Sequence, residues 1–558
     1  MNDTKVENAG SVDTRVRIEM KDWLFNAGLV GLYRILRHAD KEVRVSDNYI
    51  ECDASAFDGF EHYFFDYFFE TYGKTSLWHR FTQFCKTKVS PGLADDTNEE
   101  TIKEFIQTFD KDLDGASYRS AYEICTGDKD FIKTKLKFIK DKSVSPSEKL
   151  DKIKEIETFF LENRHIILAK YVSYQVIAHY WTGVSFLNKQ QVGRNMFDLY
   201  KKDFVDPVLP FLNAKKAKSP FGNCLICNRT IHKKGHGNEG LSWLKMDLDS
   251  ARKTSVYWNH HSDIIVCPVC VLVYTCVPAG FVTFKRKGIF INDNSNTRQL
   301  IRMNSAVQER MNDIERMDHL ENLTYTHMIN LIQQMRESET KQEANNIQIV
   351  KFDSNTGYTF NLLSKQVIDV IIHSKKHLET LSTMNDFFLD NKNKINLYQA
   401  VIDRIYRNMN LYPLIFILLS YSLRKKRTVG TAGLIFKINM NFIGGRMSDN
   451  KIKVMKFKGS NLKLEYKKKK EENKIPGIAY RLLNSLKTKN PNGFMDVIIN
   501  THMHIGQEVP TLFVECLDDI ECFQAYGYAF LLGFMGDYNP ESKPAGSNVI
   551  IGGLKNEE

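Results

Sequence analysis

Apolar residues recur at helical spacing along most of the chain, interrupted by a few short alternating stretches. MKDWLFNAGLVGLYRIL (20–36) predicts a helix that buries Trp23, Leu24 and Leu32, with Ala27, Gly28 and Gly31 small enough to admit a second backbone. EVRVSDNYIECD (42–53) alternates around an Asp-Asn turn and predicts a hairpin. EHYFFDYFFETY (61–72) places its rings on successive helical turns, so they are expected in a core rather than as a base-stacking platform. Helical patterns run through 99–200, with breaks at SVSPSE (143–148) and SFLNKQQVGRN (185–195). GFVTFKRKGIFIND (280–293) and IQIVKFDSNTGYTFNLL (347–363) predict two more hairpins, with a long helical stretch at 297–345 and helices again to about 423.

LYPLIFILLSYSL (411–423) is too short to span a bilayer and is expected as a buried helix. KIKVMKFK (451–458), Gly459-Ser460 and LKLEYKKKK (462–470) alternate apolar and Lys residues on both arms, which predicts a basic hairpin. Three short helices are expected after it, and residues 1–15 are expected to be disordered.

A chain of 558 residues suggests three or four domains. The expected fold class is α+β and multidomain, with a mixed N-terminal domain, an inserted zinc-binding segment and a C-terminal helical bundle. The boundaries are a mixed domain at 1–219, a four-cysteine segment at 220–293, a helical domain with a hairpin at 294–440, and the basic hairpin plus bundle at 441–558. The 77 Lys and Arg residues exceed the 67 Asp and Glu by +10, which suits a polyanionic partner. No signal-peptide pattern is seen and the ten cysteines lack small-scaffold spacing, so a soluble, cytoplasmic protein with reduced thiols is expected.

The cysteines carry the strongest chemical signal. Cys224 and Cys227 form one C-x2-C turn, and Cys267 and Cys270 form another thirty-nine residues later. Two such turns complete a tetrahedron of sulfur, which favours zinc over harder cations. Four protein ligands leave no position for an activated water, so the zinc is expected to be structural. A metal-free set of core cysteines, or thiols oxidised after zinc loss, are the alternatives. His232, His236, His260 and His261 lie in the intervening loop, where solvated side chains are expected rather than ligands.

Phosphate-loop, nucleophile-elbow and H-E-x-x-H signatures are missing from the sequence, which moves weight from an enzyme toward a binding protein. Candidate polyanion contacts are Lys451, Lys453, Lys456, Lys458, Lys463, Lys467, Lys468, Lys469 and Lys470, with Arg424, Lys425, Lys426 and Arg427 as a second cluster. NKQQVGRN (188–195) gathers Asn188, Lys189, Gln190, Gln191 and Arg194, side chains that can hydrogen-bond base edges; an ordinary helix–helix connection is the alternative.

Five stretches together resemble the large subunit of type I-B CRISPR Cascade complexes: MKDWLFNAGLVGLYRIL, VSFLNK (184–189), the CLIC and CPVC turns, VPAGF (277–281) and AYGYAFLLGFMG (525–536). The resemblance implies a non-catalytic subunit of an RNA-guided surveillance complex. Such a subunit sits at the crRNA 5′-handle end, recognises the protospacer-adjacent motif in target double-stranded DNA, and helps open the duplex. It also docks the separate nuclease-helicase. The implied partners are therefore crRNA, target DNA, the Cascade backbone and handle-binding subunits, a small subunit and the nuclease-helicase, with no membrane.

In these systems the C-terminal part of the large subunit resembles the small helical subunit, which some type I-B genes produce by internal translation. Ile443-Gly444-Gly445-Arg446 can be encoded as a ribosome-binding run just before Met447, a candidate internal start for a product of 112 residues, Met447–Glu558. A Gly-Gly turn before an ordinary Met is the alternative. Rival functions are a metal-dependent nuclease and a free-standing zinc-ribbon nucleic-acid-binding regulator.

Overall fold

The computed structural model describes residues 15–89, 95–215, 217–233, 238–239, 241–244, 265–284, 286–312, 347–384, 387–388, 394–425, 429–443 and 448–536. The expectations for residues 1–14 and 313–346, for His236, His260 and His261, for Lys426 and Arg427, and for Met447 lie outside these residues. The chain packs as two units, one of Met1–Asn312 with Ile347–Phe360, the other of Asp313–Asn346 with Asn361–Glu558.

In the first unit β1 (Arg15–Glu19), β2 (Val43–Val45) and β3 (Tyr49–Asp53) form an antiparallel sheet in the order β1-β3-β2. Val16 opposes Cys52 and Ile18 opposes Ile50, which puts the apolar half of the alternation on the core side. The hairpin expected at 42–53 is β2–β3. Asp22 caps α1 (Trp23–His38), its Oδ1 accepting from Leu24 N at 2.9 Å and Phe25 N at 3.2 Å. In α2 (Phe60–Tyr72), Phe60, Phe64, Phe65 and Phe68 are fully buried, as the ring spacing implied.

A second core of Phe81, Phe105, Phe109, Tyr122, Ile153 and Phe160 lies among α3 (Leu77–Phe84), α4 (Asp95–Leu113), α5 (Ala116–Thr126), α6 (Phe131–Lys140) and α7 (Pro146–Glu162). The break at SVSPSE is a capping box: Ser145 Oγ accepts from Glu148 N, Glu148 accepts from Ser145 N, and Pro146 opens α7. The helices α8 (Arg164–Gln175), α9 (Met196–Tyr200) and α10 (Val208–Leu212) return the chain to the first core.

The cysteine segment holds β4 (Gly222–Asn223), β5 (Thr230–Ile231), β6 (Asn238–Glu239) and β7 (Ile265–Val266), then α11 (Pro268–Thr275) and α12 (Val277–Gly280). Beyond it, β8 (Val282–Phe284) and β9 (Lys287–Asp293) precede α13 (Thr297–Asn312). The strands β10 (Ile347–Asp353) and β11 (Gly357–Leu363) complete a four-stranded sheet in the order β11-β10-β9-β8. The hairpins expected at 280–293 and 347–363 are therefore two halves of one sheet.

The small residues of α1 face α11 and α12. A Cβ on Gly28 would collide with Val273 O, and one on Gly31 with Cys276 O. Arg34, buried on the same helix, donates from Nη1 to Ala279 O at 2.8 Å and Gly280 O at 3.0 Å, satisfying the last carbonyls of α12. The cysteine-bearing helix is thereby seated in the main core.

The second unit is helical among its described residues, apart from the end of β11 and one short strand pair, Phe387–Phe388 with Lys394–Ile395. It contains α14 (Lys365–His373), α15 (Lys375–Ser382), α16 (Leu397–Tyr406), α17 (Tyr412–Lys425) and α18 (Val429–Ile443), followed by α19 (Asp449–Lys468), α20 (Ile475–Lys487), α21 (Pro491–Ile505) and α22 (Ile520–Met535). The apolar run at 411–423 falls on α17, with Leu414, Ile415, Leu418 and Leu419 buried. No helix among the described residues is long and apolar enough to cross a membrane.

The hairpin expected at 451–470 is wrong, because these residues form one helix, α19. Met455, Gly459, Leu462 and Tyr466 are its buried positions, spaced four, three and four apart, and this helical stripe outweighs an alternation confined to eight residues. Gly459, expected in the turn, is instead where α19 approaches the backbone of α22. The fold is thus mixed and multidomain, with small sheets, a four-cysteine cluster and a helical C-terminal region.

Candidate metal centre and nucleic-acid contacts

The first cysteine turn is shaped by backbone bonds. Cys224 N donates to Arg229 O at 2.9 Å, Asn228 N donates to Cys224 O at 2.9 Å, and Asn228 takes φ +60° to close the loop. Leu225 N donates to Ile265 O at 2.9 Å and ties this turn to β7. The second turn is a helix start: Cys267 precedes Pro268, and Cys270 sits in the first turn of α11.

The four sulfurs converge within 4.8 Å of one another, with Cys224, Cys267 and Cys270 buried. Cys227 Sγ and Cys267 Sγ are 3.6 Å apart, far beyond a disulfide, and all ten cysteines are free. Zinc at about 2.3 Å from each of four sulfurs sets S···S edges of about 3.8 Å. The cluster fits that tetrahedron. His232 takes no part, since its Nδ1 accepts from Ala217 N at 3.4 Å.

The electrostatics lead to the same donor chemistry. Hydrogen bonds with Cys227, Cys267 and Cys270 hold Cys224 far below the usual thiol range, while sharing with Cys224 and its neighbours drives Cys270 far above it. A bound dication would let all four sulfurs ionise. Arg229 supplies part of that positive charge. Its Nη1 lies 3.7 Å from Cys227 Sγ, while Nη2 donates to Arg17 O of β1. Burial alone would lower the guanidinium's pKa, but the sulfurs of Cys227, Cys267 and Cys270 outweigh it and raise it. Arg229 was not legible in the sequence, because nothing in CNRT distinguishes a cation turned toward sulfur from a solvated one.

Residues 217–282, which span this centre and the end of α12, match the model of a family described as CRISPR-associated protein (Cas_CXXC_CXXC). This indicates a CRISPR-associated protein. No curated protein and no solved structure matches the chain. The matched segment is the same one whose sulfurs converge, so the family pattern and the geometry describe one structural element.

Other candidate contacts lie elsewhere in the chain. The 188–195 loop is built from short 3-10 turns at Ser185–Leu187 and Lys189–Gln191. Asn188 is used internally, its Oδ1 accepting from Gln190 N at 3.0 Å. Lys189, Gln190 and Arg194 are exposed, whereas Gln191 is half-buried and its Oε1 has no hydrogen-bond partner among the described residues. Ser185, at φ +48° and 5% exposed, also leaves its Oγ unpartnered.

The lysines of α19 divide into two groups. Lys451 pairs with Glu515 at 2.6 Å, and Lys468 with Glu465 at 2.7 Å. Lys463 donates to Gly536 O at 2.5 Å and Lys469 to His504 O at 3.0 Å, closing the C-terminal ends of α22 and α21. Lys453, Lys456, Lys458, Lys467 and Lys470 are exposed and have no such partner among the described residues. Lys453, Lys456, Lys463 and Lys467 follow one side of the helix, over about 21 Å at 1.5 Å per residue. Arg424 is exposed at the end of α17.

Proposed function

We propose that this chain is the non-catalytic large subunit of a type I-B CRISPR Cascade, binding crRNA and target DNA, reading the protospacer-adjacent motif, stabilising the opened duplex and recruiting the nuclease-helicase. The observation that carries the reading is the CRISPR-associated family match over the cysteine centre at 217–282. The resemblance of three further stretches outside that segment, in the same order as in large subunits, supports it.

Zinc on Cys224, Cys227, Cys267 and Cys270 would supply structure rather than chemistry, since the four ligands fill its coordination. The residues around it lock α11 against α1. The unpaired lysines of α19 would follow phosphates, a contact that orients the chain without reading sequence. Lys189, Gln190 and Arg194 have the donor groups to meet base edges. The guide reads the long target by base pairing and the protein reads only a short flank, as in other RNA-guided effectors. The helical C-terminal region would take the place of a small subunit, whose separate production from Met447 is part of the same proposal.

Purifying the tagged chain from cells that carry its neighbouring genes tests this reading. The expected result is copurification with backbone subunits and a short RNA of uniform length that carries a repeat-derived 5′ handle. A chain that purifies alone, or that cleaves labelled DNA with Mg2+ or Mn2+, overturns it.

A further inference from the structure

Lys170 on α8 has 1% of its surface exposed, on a helix that also buries Ser173 and the apolar Ile167, Leu168, Ala169 and Val172. An ammonium withdrawn this far from water needs a partner. Its Nζ donates to Val192 O at 2.5 Å, and Glu123 on α5 is the charged group that acts on it; no other charged side chain does so among the described residues. Gly193 brings the loop against the same carboxylate, for a Cβ there would lie 3.5 Å from Glu123 Oε2. Val192 thus rests on a buried lysine, and the exposed Gly193 lies against the exposed carboxylate of Glu123. Lys189, Gln190 and Arg194 project around that turn.

A connection between two helices needs no charge under it, and a methionine would fill the same space without the desolvation penalty. The ammonium does what methionine cannot: it fixes a carbonyl in one direction. Nearby Ser185, left-handed and with an unpartnered Oγ, shows a backbone held away from its relaxed state.

We infer that Lys170 is a positioning residue that clamps the Val192–Gly193 turn and so sets the orientation of Lys189, Gln190 and Arg194 toward the edge of a DNA duplex. This rests on the proposed reading of 188–195 as a duplex-contacting loop. The contact is made by the loop, and Lys170 acts through it.

The test uses the full crRNA-loaded complex and target duplexes with a randomised flank, and reads base preference from the recovered sequences. Lys170→Met should lower that preference at least about tenfold, the scale of a lost hydrogen bond to a charged group. Zinc content and the salt dependence of non-target DNA binding should stay at wild-type values. In the wild type the preference should decline as pH rises through about 8, where Lys170 loses its proton, and in Lys170→Arg it should not. An undiminished preference in Lys170→Met, or the same pH profile in Lys170→Arg, overturns the inference. Should Lys170→Met fail to assemble, Glu123→Gln decides: a lowered preference supports the clamp and an unchanged one overturns it. The paired variant Gln190→Ala with Arg194→Ala separates the two levels. If it leaves base preference intact, the loop reading itself fails. If it abolishes preference while Lys170→Met does not, only the role of Lys170 fails.

Discussion

Gly459 on α19 and Gly533 on α22 sit at the same crossing, where a Cβ on Gly459 would overlap Phe530 O and one on Gly533 would overlap Lys456 O. Neither helix can move closer, and neither can carry a side chain there. Alanine in an exposed helix interior is favoured over glycine by about 1 kcal/mol. Here the sign should reverse. Gly533→Ala should lower unfolding free energy by about 1–3 kcal/mol through overpacking, measured from the urea midpoint. A stabilised variant would show that the helices do not cross at these residues.

The sulfur cluster predicts a linked loss of metal and stability. Cys224→Ser and Cys267→Ser should each reduce zinc from about one per chain toward none and lower the melting temperature, because a metal on the four sulfurs would tie β7 and α11 to the Cys224–Cys227 turn. A strong chelator should reproduce the shift in the wild type and leave both variants unchanged. Full zinc content in either variant would refute four-sulfur ligation.

On α19 the prediction is a contrast within one set of lysines. Glutamate at Lys453, Lys456 and Lys467 together should weaken DNA binding by the assembled complex and reduce the slope of log affinity against log salt by about 2–3, one unit for each lost phosphate contact. Lys451→Glu and Lys468→Glu replace lysines already paired with Glu515 and Glu465, and should leave the slope near the wild-type value. Equal effects from both groups would contradict a directed stripe.

Lys170 also makes a prediction about stability, and its sign follows from its proton. Burial lowers its pKa to about 8 in the folded chain, below the ordinary lysine value. Under about pH 8 the ammonium is kept despite its desolvation, a penalty absent from the unfolded chain. As pH climbs from there toward about 10 the folded chain gives up the proton first, so the penalty fades and this group's contribution to stability rises. The melting temperature of the wild type relative to Lys170→Met should therefore increase between pH 8 and pH 10. A flat difference would mean that Lys170 is not a buried ammonium.

Elements with one long, consistent period were legible in the sequence. The rings of α2, the small face of α1 and the break at SVSPSE follow from local rules, and the C-x2-C spacing announced the sulfur cluster. The error at 451–470 has a physical cause. Eight residues of Lys–apolar alternation satisfy both a strand and a helix with lysines on several sides, and the buried stripe of Met455, Gly459, Leu462 and Tyr466, with Gly459 against α22, selects the helix. Arg229 and Lys170 were hidden for another reason. Each is a cation whose partner lies far along the chain, Arg17 O for one and Val192 O for the other, and composition holds no trace of such pairings. Lys170 did leave a faint signal as a charge on the apolar face of HIILAKYV.

The central claim is that this chain lets an RNA-guided complex engage duplex DNA without itself cutting it. The direct measurement compares two reconstituted complexes, with and without this chain, both loaded with crRNA and offered a labelled target duplex. With the chain present, binding should be tight, dependent on the flanking motif, and free of cleavage until the nuclease-helicase is added. Omitting it should abolish motif-dependent binding of duplex while sparing capture of single-stranded target, which needs only the guide. Undiminished duplex binding in its absence, or cleavage by the complex before the nuclease-helicase arrives, would contradict the account.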